Sequence, residues 1–137
     1  PAGYFNVKAR RLKAFMHFLY ERYGGQMQRM GKEDASIVRE QLLSVHGIGP
    51  ETADSILLYA LGKPVFVVDA YARRVLARHN VMGHDESYSD FQELFHGSLE
   101  KNVGLYNEYH ALLVATGKRF CKPNPRCAEC PLLSLEH

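Results

Sequence analysis

The sequence predicts an all-α domain, and three observations support this prediction. Apolar residues recur every three or four positions in six segments, which is the spacing of one face of a helix. Helix-ending groups such as Gly24-Gly25 and Gly62-Lys63-Pro64 separate the segments. The one strand-like run, residues 65–68, has no second run to pair with. We therefore interpret that run as a buried connector.

The first predicted helix covers residues 7–23 and ends at two glycines. Its apolar side chains fall on one face, which we expect to belong to the core. They are Leu12, Phe15, Met16, Leu19 and Tyr23.

A glycine hairpin, Gly47-Ile48-Gly49, joins the predicted helices 36–44 and 50–61. Glycine permits a sharp turn and a close approach of backbone to another surface. Pro50 suits the first position of the second helix. The N–H groups and positive dipole end of that helix favour an anion such as a nucleic-acid phosphate. An ordinary corner between two helices fits this segment equally well.

Asp69 follows the connector and suits the N-cap of a helix over residues 69–79. For a lone aspartate before a helix, capping is the simplest role. Two features favour a second, chemical role: the aspartate follows a phosphate-type hairpin, and Arg73 and Arg74 come after it on the same helix.

Two further helices complete the predicted set. The first covers residues 89–99, with Ser89 as N-cap and Gln92 as its capping-box partner. The second covers residues 105–116 and ends before Gly117. The chain also carries candidate functional groups for which a structural role or simple solvent exposure is the alternative. They are His46 and His110 as possible catalytic groups, and Arg73, Arg74, Lys118 and Arg119 as possible phosphate contacts.

The composition fits one packed domain with a small positive charge. Of the 137 residues, 46% are apolar, which is enough for a core. No apolar run is long enough to span a bilayer. The net charge of +2 neither requires nor excludes nucleic acid, because the 17 lysines and arginines can still gather on one face.

Three cysteines, Cys121, Cys127 and Cys130, lie close together in a proline-rich segment. Such clustering favours a metal over a disulfide framework and suits a reducing cytosol. Zinc, an iron–sulfur cluster and three reduced thiols all remain compatible with the spacing.

Residues 42–75 resemble the helix-hairpin-helix DNA glycosylases of the endonuclease III superfamily. The signature of that family is a Gly-x-Gly hairpin followed, one helix and a short loop later, by a Val-Asp pair. The resemblance extends over residues 3–130. It implies a helix-hairpin-helix six-helix barrel over residues 1–120, with the hairpin unit at 42–61 and a C-terminal cysteine loop at 121–134.

The same resemblance implies roles for individual residues. Asp69 corresponds to the catalytic carboxylate of the family, and the partner is double-stranded DNA with a flipped damaged base. The residues expected to contact DNA are Gly47, Ile48, Gly49, Thr52, Tyr4 and Arg73. Tyr4 falls where the family places a residue that pushes into the opposite strand, although packing against the first helix is an equal alternative.

Glu51 distinguishes two reaction types. Family members that also cut the DNA strand carry a lysine at this position, whose amine forms a Schiff base. A carboxylate cannot form an imine, so the sequence predicts a monofunctional enzyme that uses water. The segments around the hairpin and Asp69 most resemble 3-methyladenine glycosylases, which implies an alkylated base as substrate.

The resemblance also implies a [4Fe–4S] cluster, held in typical members by C-x6-C-x2-C-x5-C; zinc is the lesser alternative. Here the first spacing is one residue shorter, and Glu136 stands at the fourth cysteine position. Residues 135–137 resemble the junction of a purification tag. The start of the chain resembles the middle of the family's sequence, so we expect a fragment of a cytoplasmic protein, without the N-terminal helices and with little excision activity.

Two other functions remain compatible with the sequence. One is a non-catalytic DNA-binding module, in which the hairpin binds phosphate and Asp69 only caps its helix. The other is an interaction domain stabilised by a metal at the cysteines.

Overall fold

The computed structural model describes residues 2–135, with side chains from residue 4 onward, and this part of the chain is all-α. It contains seven α-helices and no β-strand, which confirms the predicted fold class. Glu136 and His137, part of the expected tag remnant, lie outside the described residues. None of the described helices is long and apolar enough to cross a membrane. The helices are α1 (Ala2–Tyr23), α2 (Met27–Gly31), α3 (Ala35–Leu43), α4 (Pro50–Ser55), α5 (Ala70–Arg78), α6 (Tyr88–Ser98) and α7 (Val103–Arg119).

The chain divides into two compact units, residues 1–63 and 64–137. In the first unit α1 packs against α2, and α3 packs against α4 and the π-helical turn Ile56–Ala60 that continues it. Together α4 and this turn account for the predicted helix 50–61. The buried apolar side chains of the unit are Leu19, Tyr23, Met30, Val38, Leu42, Ala53, Leu57 and Leu58.

Only part of the apolar face of α1 is buried. Leu19 and Tyr23 are 4% and 7% exposed, whereas Leu12 and Met16 are 63% and 51% exposed. The prediction that the whole face belongs to the core is therefore wrong for Leu12 and Met16. The physical reason is that α2, the helix that packs on α1, is only five residues long and cannot cover the full length of a 22-residue helix.

In the second unit α5 packs against α7. The buried apolar side chains come from the connector, α5, α6, α7 and the cysteine segment. They are Phe66, Val67, Val68, Ala72, Val75, Ala77, Phe91, Phe95, Tyr106 and Cys121. Residues 66–68 of the connector are buried, Val65 is half-buried, and the run forms no strand, as the sequence predicts.

Helix α6 begins earlier than predicted. Its N-cap is Ser87, which forms a capping box with Asp90, so the assignment of Ser89 and Gln92 to this role is wrong. The same side-chain pattern occurs two residues earlier, and Asp90 reaches back to the N–H of Ser87 at 3.1 Å. Gln92 instead donates through Nε2 to the carbonyl of Phe66 at 2.8 Å.

Candidate functional site

The glycine hairpin forms a tight, hydrogen-bonded turn in the first unit. The N–H of Ile48 donates to the carbonyl of Val45 at 3.1 Å, and Gly49 is the N-cap of α4. Gly47 has a φ of +86°, a conformation that favours glycine. Among the described residues, the N–H groups of Gly47 and Gly49 donate to no acceptor. The turn therefore offers the N–H groups of Gly47 and Gly49 to a ligand, whereas the N–H of Ile48 is already bonded within the turn.

Gly47 is also required by the packing around it. A Cβ at this position would overlap the side chain of Arg11 in α1, with Cδ only 2.8 Å away. The aliphatic part of Arg11 thus lies directly against the turn. Sequence reasoning assigned no role to Arg11, because a charged residue in a long helix has no local signal that distinguishes it from a solvated one.

Three further candidate residues of the first unit, Thr52, Glu51 and Tyr4, are exposed. Thr52 lines an open cavity beside Gly47 and Ile48. Glu51 lies exposed in the first turn of α4, where a carboxylate interacts favourably with the helix dipole. Tyr4 is 58% exposed, and the Nζ of Lys8 lies 4.5 Å from its ring centroid.

Asp69 is held by both of its carboxylate oxygens in the second unit. Its Oδ1 accepts the N–H of Ala72 at 2.8 Å, which confirms the predicted N-cap of α5. Its Oδ2 lies 3.0 Å from Nε2 of His110 in α7. An ionised carboxylate can only accept, so Nε2 carries the hydrogen of this bond. Asp69 is only 8% exposed.

The pKa of Asp69 lies below its ordinary value of 3.8. Burial by itself raises this pKa, because it penalises the charged form. The hydrogen bonds from His110 and from the N–H of Ala72 lower the pKa by more. Asp69 is therefore ionised at neutral pH, with its orientation fixed on two sides.

The connector that carries Asp69 is fastened to α6 by polar side chains. The N–H of Phe66 donates to Nε2 of His96 at 2.9 Å, and the N–H of Val68 donates to the hydroxyl of Tyr88 at 3.3 Å. The ring of Phe66 stacks on Phe95 with a centroid distance of 3.8 Å. A sequence signal for this role exists: Tyr88, Gln92 and His96 recur every four residues and so share one face of a helix.

Two arginines of α5 are engaged within the second unit. Arg73 donates to the carbonyl of Glu86 at 2.9 Å and lies over the ring of Phe91. Arg74 donates to the carbonyls of Cys121 and Gly117 at 2.6 and 3.2 Å. Of the other polar candidates, His46, Lys118 and Arg119 are exposed.

The three cysteines surround one small cavity, of about 50 Å³, at the end of α5. Cys121 is buried and Cys127 is exposed. Arg78 occupies this region, donating to Sγ of Cys121 at 3.4 Å and to the carbonyl of Pro123 at 3.0 Å. Within residues 2–135, no three Cys, His, Asp or Glu side chains are placed so that they could hold a metal ion. The described residues do not fit a [4Fe–4S] cluster, which requires four ligands.

Comparisons with known proteins give a consistent assignment. Residues 39–59 match the helix-hairpin-helix motif. The chain is 46% identical over 134 residues to a protein of Methanocaldococcus jannaschii provisionally named DNA repair glycosylase MJ1434. It is 30% identical over 134 residues to endonuclease III of Bacillus subtilis. These alignments cover 96% and 97% of this chain but only 60% and 57% of the two relatives, so the chain spans little more than half of their length.

Two solved structures resemble the fold. A trapped covalent intermediate of endonuclease III with DNA superposes with a TM-score of 0.79 at 26% identity, covering 97% of this chain and 58% of that chain. The H. pylori 3-methyladenine DNA glycosylase bound to 1,N6-ethenoadenine superposes with a TM-score of 0.72 at 28% identity, covering 87% and 59%.

Proposed function

Because this chain belongs to the helix-hairpin-helix endonuclease III superfamily of DNA glycosylases, we propose that it acts in base-excision repair. The reaction is hydrolysis of the N-glycosidic bond of a damaged base in double-stranded DNA, with Asp69 as the catalytic carboxylate. The observation that carries this proposal is the fixation of Asp69, an ionised and nearly buried carboxylate whose two oxygens accept from Ala72 and His110.

Asp69 acts mainly through its charge. Bond cleavage develops positive charge on the deoxyribose, and a carboxylate in a water-poor place stabilises that charge as it forms. A lowered pKa makes Asp69 a poor proton acceptor but keeps it ionised. A capping aspartate needs only one oxygen, so the bond of the second oxygen to His110 supports a role beyond capping.

The hairpin binds one DNA phosphate through the N–H groups of Gly47 and Gly49. Both groups lack an acceptor among the described residues. A Cβ at Gly49 would meet nothing within 4 Å, so the space beside this glycine is open to a phosphate. The N–H of Ile48 is left out of the proposed donor set because it is bonded to Val45. Thr52, exposed beside the turn, is a further candidate contact.

Water is the nucleophile of the proposed reaction. It bonds to C1′ of the sugar as the bond to the base breaks; the base leaves with the electron pair, and the proton of the water passes to solvent. Glu51 supports this route, because a carboxylate cannot form the imine of the strand-cutting mechanism.

The substrate we propose is an alkylated purine. Such a base carries positive charge and leaves as a neutral molecule, so it is a good leaving group. A single fixed carboxylate is therefore sufficient to catalyse its release. The structural resemblance to a 3-methyladenine DNA glycosylase supports this choice.

Single-turnover excision from a methylated duplex, comparing the wild type with Asp69→Asn, tests the proposal. Asparagine caps helices as well as aspartate, so the variant keeps α5 and removes only the charge. We expect a low but measurable yield of alkali-labile abasic sites from the wild type, no strand cleavage without alkali, and a rate at least about 100-fold lower for the variant.

Two results would contradict the proposal. Equal excision by the wild type and by Asp69→Asn would show that Asp69 is not the catalytic carboxylate. DNA binding without release of any base favours the second candidate, a non-catalytic binding module, for which the Asp69 Oδ1 cap on Ala72 is the supporting observation.

A further inference from the structure

A cavity of about 290 Å³ lies between α1 and the hairpin side of the first unit. One wall comes from α1, and the other comes from the hairpin, α4 and the π-helical turn. The cavity is open to solvent on the outside and combines two cations with an apolar surface. Its lining residues are Lys8, Arg11, Leu12, Phe15, Gly47, Ile48, Thr52 and Ile56.

The two cations of this cavity share one face of α1. Lys8 and Arg11 are three residues apart, which places their side chains side by side along the helix. Both residues are exposed, and the ion pairs formed among the described residues include neither of them. Two positive charges without a carboxylate partner, facing one cavity, favour an anionic ligand.

Arg11 is positioned relative to the hairpin by packing. Its aliphatic atoms fill the space that a Cβ of Gly47 would occupy. Arg11 is thereby held against the turn, and it lines the same cavity as Gly47 and Ile48. The close contact needs both glycine at position 47 and a long side chain at position 11.

The remaining wall of the cavity is apolar, and part of it has no role in the core. Leu12 is 63% exposed although it lies on the same side of α1 as Arg11. A ligand that combines an anionic group with an apolar ring matches such a wall. In a DNA strand, each phosphate supplies the anionic group, and the deoxyribose attached to it supplies a ring with C–H groups on its faces.

We propose that this cavity is a second backbone subsite, in which Lys8 and Arg11 bind a DNA phosphate and the wall containing Leu12 and Phe15 contacts the attached sugar. The subsite rests on the proposed function, since it extends the phosphate site of the hairpin along the strand. The glycine hairpin offers only backbone N–H groups to the DNA, and the subsite adds two positively charged side chains.

Arg10 provides a matched control because it precedes Arg11 directly and carries the same charge. It lines a different cavity with Asn6, Ala9 and Lys13, and its Nε donates to the carbonyl of Asn6 at 3.4 Å. Methionine at either position removes the charge and keeps most of the aliphatic stem. Arg11→Met and Arg10→Met therefore change the net charge equally but differ in position relative to the hairpin.

The experiment measures the affinity of the 137-residue chain for a short DNA duplex over a range of salt concentrations. Each phosphate contact contributes about 0.9 to the slope of log affinity against log salt. We expect Arg11→Met to reduce the slope by about 0.9, Arg10→Met to leave it unchanged, and Arg11→Lys to restore it. Circular dichroism checks that each variant is folded.

Each other outcome has a distinct meaning. Equal slopes for Arg11→Met and Arg10→Met overturn the subsite, because the loss of one positive charge then has the same effect on DNA binding at either position. The proposed function stays intact in that case. Failure of Arg11→Lys to restore the slope overturns a phosphate contact at this position. If wild-type binding does not depend on salt, both the subsite and DNA binding by the hairpin are wrong.

Discussion

Gly117 shows at the scale of one residue how tightly α5 and α7 pack. This helical glycine is buried, and a Cβ added to it would lie 2.9 Å from the Cβ and Cγ of Tyr71, closer than atoms pack in proteins. Position 117 therefore requires glycine although glycine disfavours helix. The contact unites the helix capped by Asp69 with the helix that carries His110.

We expect Gly117→Ala to destabilise the protein by about 1–3 kcal/mol, because the added methyl group forces Tyr71 or α7 to move. Gly97→Ala is the matched control, since a Cβ at this helical glycine meets nothing within 4 Å. There the better helix propensity of alanine is expected to stabilise by up to about 1 kcal/mol. Urea unfolding measures both, and equal effects would contradict the packing argument.

His110 affects Asp69 through one hydrogen bond. Replacing His110 with alanine removes the bond that lowers the pKa of Asp69, while the burial that raises this pKa stays. In the proposed mechanism, excision requires the ionised carboxylate and is lost as the pH falls through its pKa. The acid limb of the pH–rate profile is therefore expected to move to higher pH in His110→Ala.

The rate of His110→Ala at neutral pH is expected to fall about tenfold, since a hydrogen bond to a charged group contributes roughly 1.5 kcal/mol. His110→Gln keeps a side-chain N–H donor and should recover part of both effects. An unchanged acid limb in His110→Ala would show that the bond does not control the ionisation of Asp69.

At the scale of secondary-structure elements, an ion pair joins the two helices that flank the hairpin. Arg39 of α3 donates to both carboxylate oxygens of Asp54 in α4, at 2.7 and 3.1 Å. The Asp54 side chain is fully buried, whereas that of Arg39 is 31% exposed. This bidentate pair fixes the position of α4 relative to α3, and with it the turn between them.

We expect Arg39→Met to lower the free energy of unfolding by about 3 kcal/mol, because it leaves a buried carboxylate without its main cation. The double variant Arg39→Met/Asp54→Asn removes the buried charge and should recover part of that loss. Arg29→Met, at an exposed arginine of the same unit, is the control and should change stability by less than about 0.5 kcal/mol. If the single and double variants are equally unstable, the buried charge is not the cause.

At the scale of the whole molecule, Asp69 makes stability depend on pH. Its folded pKa is lower than the ordinary 3.8, so the unfolded state binds the proton first as the pH falls. The stabilisation is fully present above about pH 3.8 and is lost as the pH falls through the lower folded pKa. Asp90, whose pKa is lowered by hydrogen bonds from Ser87, acts in the same direction.

Comparison with Asp69→Asn isolates this contribution, because both proteins retain Asp90. We expect the wild type to exceed the variant in unfolding free energy near neutral pH, and the difference to shrink as the pH falls below 3.8. Chemical denaturation across that range measures it. A difference independent of pH would mean that the ionisation of Asp69 does not contribute to stability.

The sequence by itself determined the features that depend on neighbouring residues. The all-α class, the Asp69 cap and the turn at Gly47 follow from helical periodicity, from a short acceptor next to free N–H groups, and from glycine's access to positive φ. The buried connector of residues 65–68 was predictable for the same reason, since an apolar run without a pairing partner has few alternatives.

Only the tertiary structure decided which distant side chains meet. The bond between His110 and Asp69, the contact of Arg11 with Gly47 and the hold of Arg78 on the cysteine segment join residues far apart in the chain. Helical periodicity gives the face on which a side chain lies but not the element that covers it, which is why Leu12 and Met16 were wrongly placed in the core. The covering element is decided by packing between elements, which depends on the length and direction of every neighbouring element.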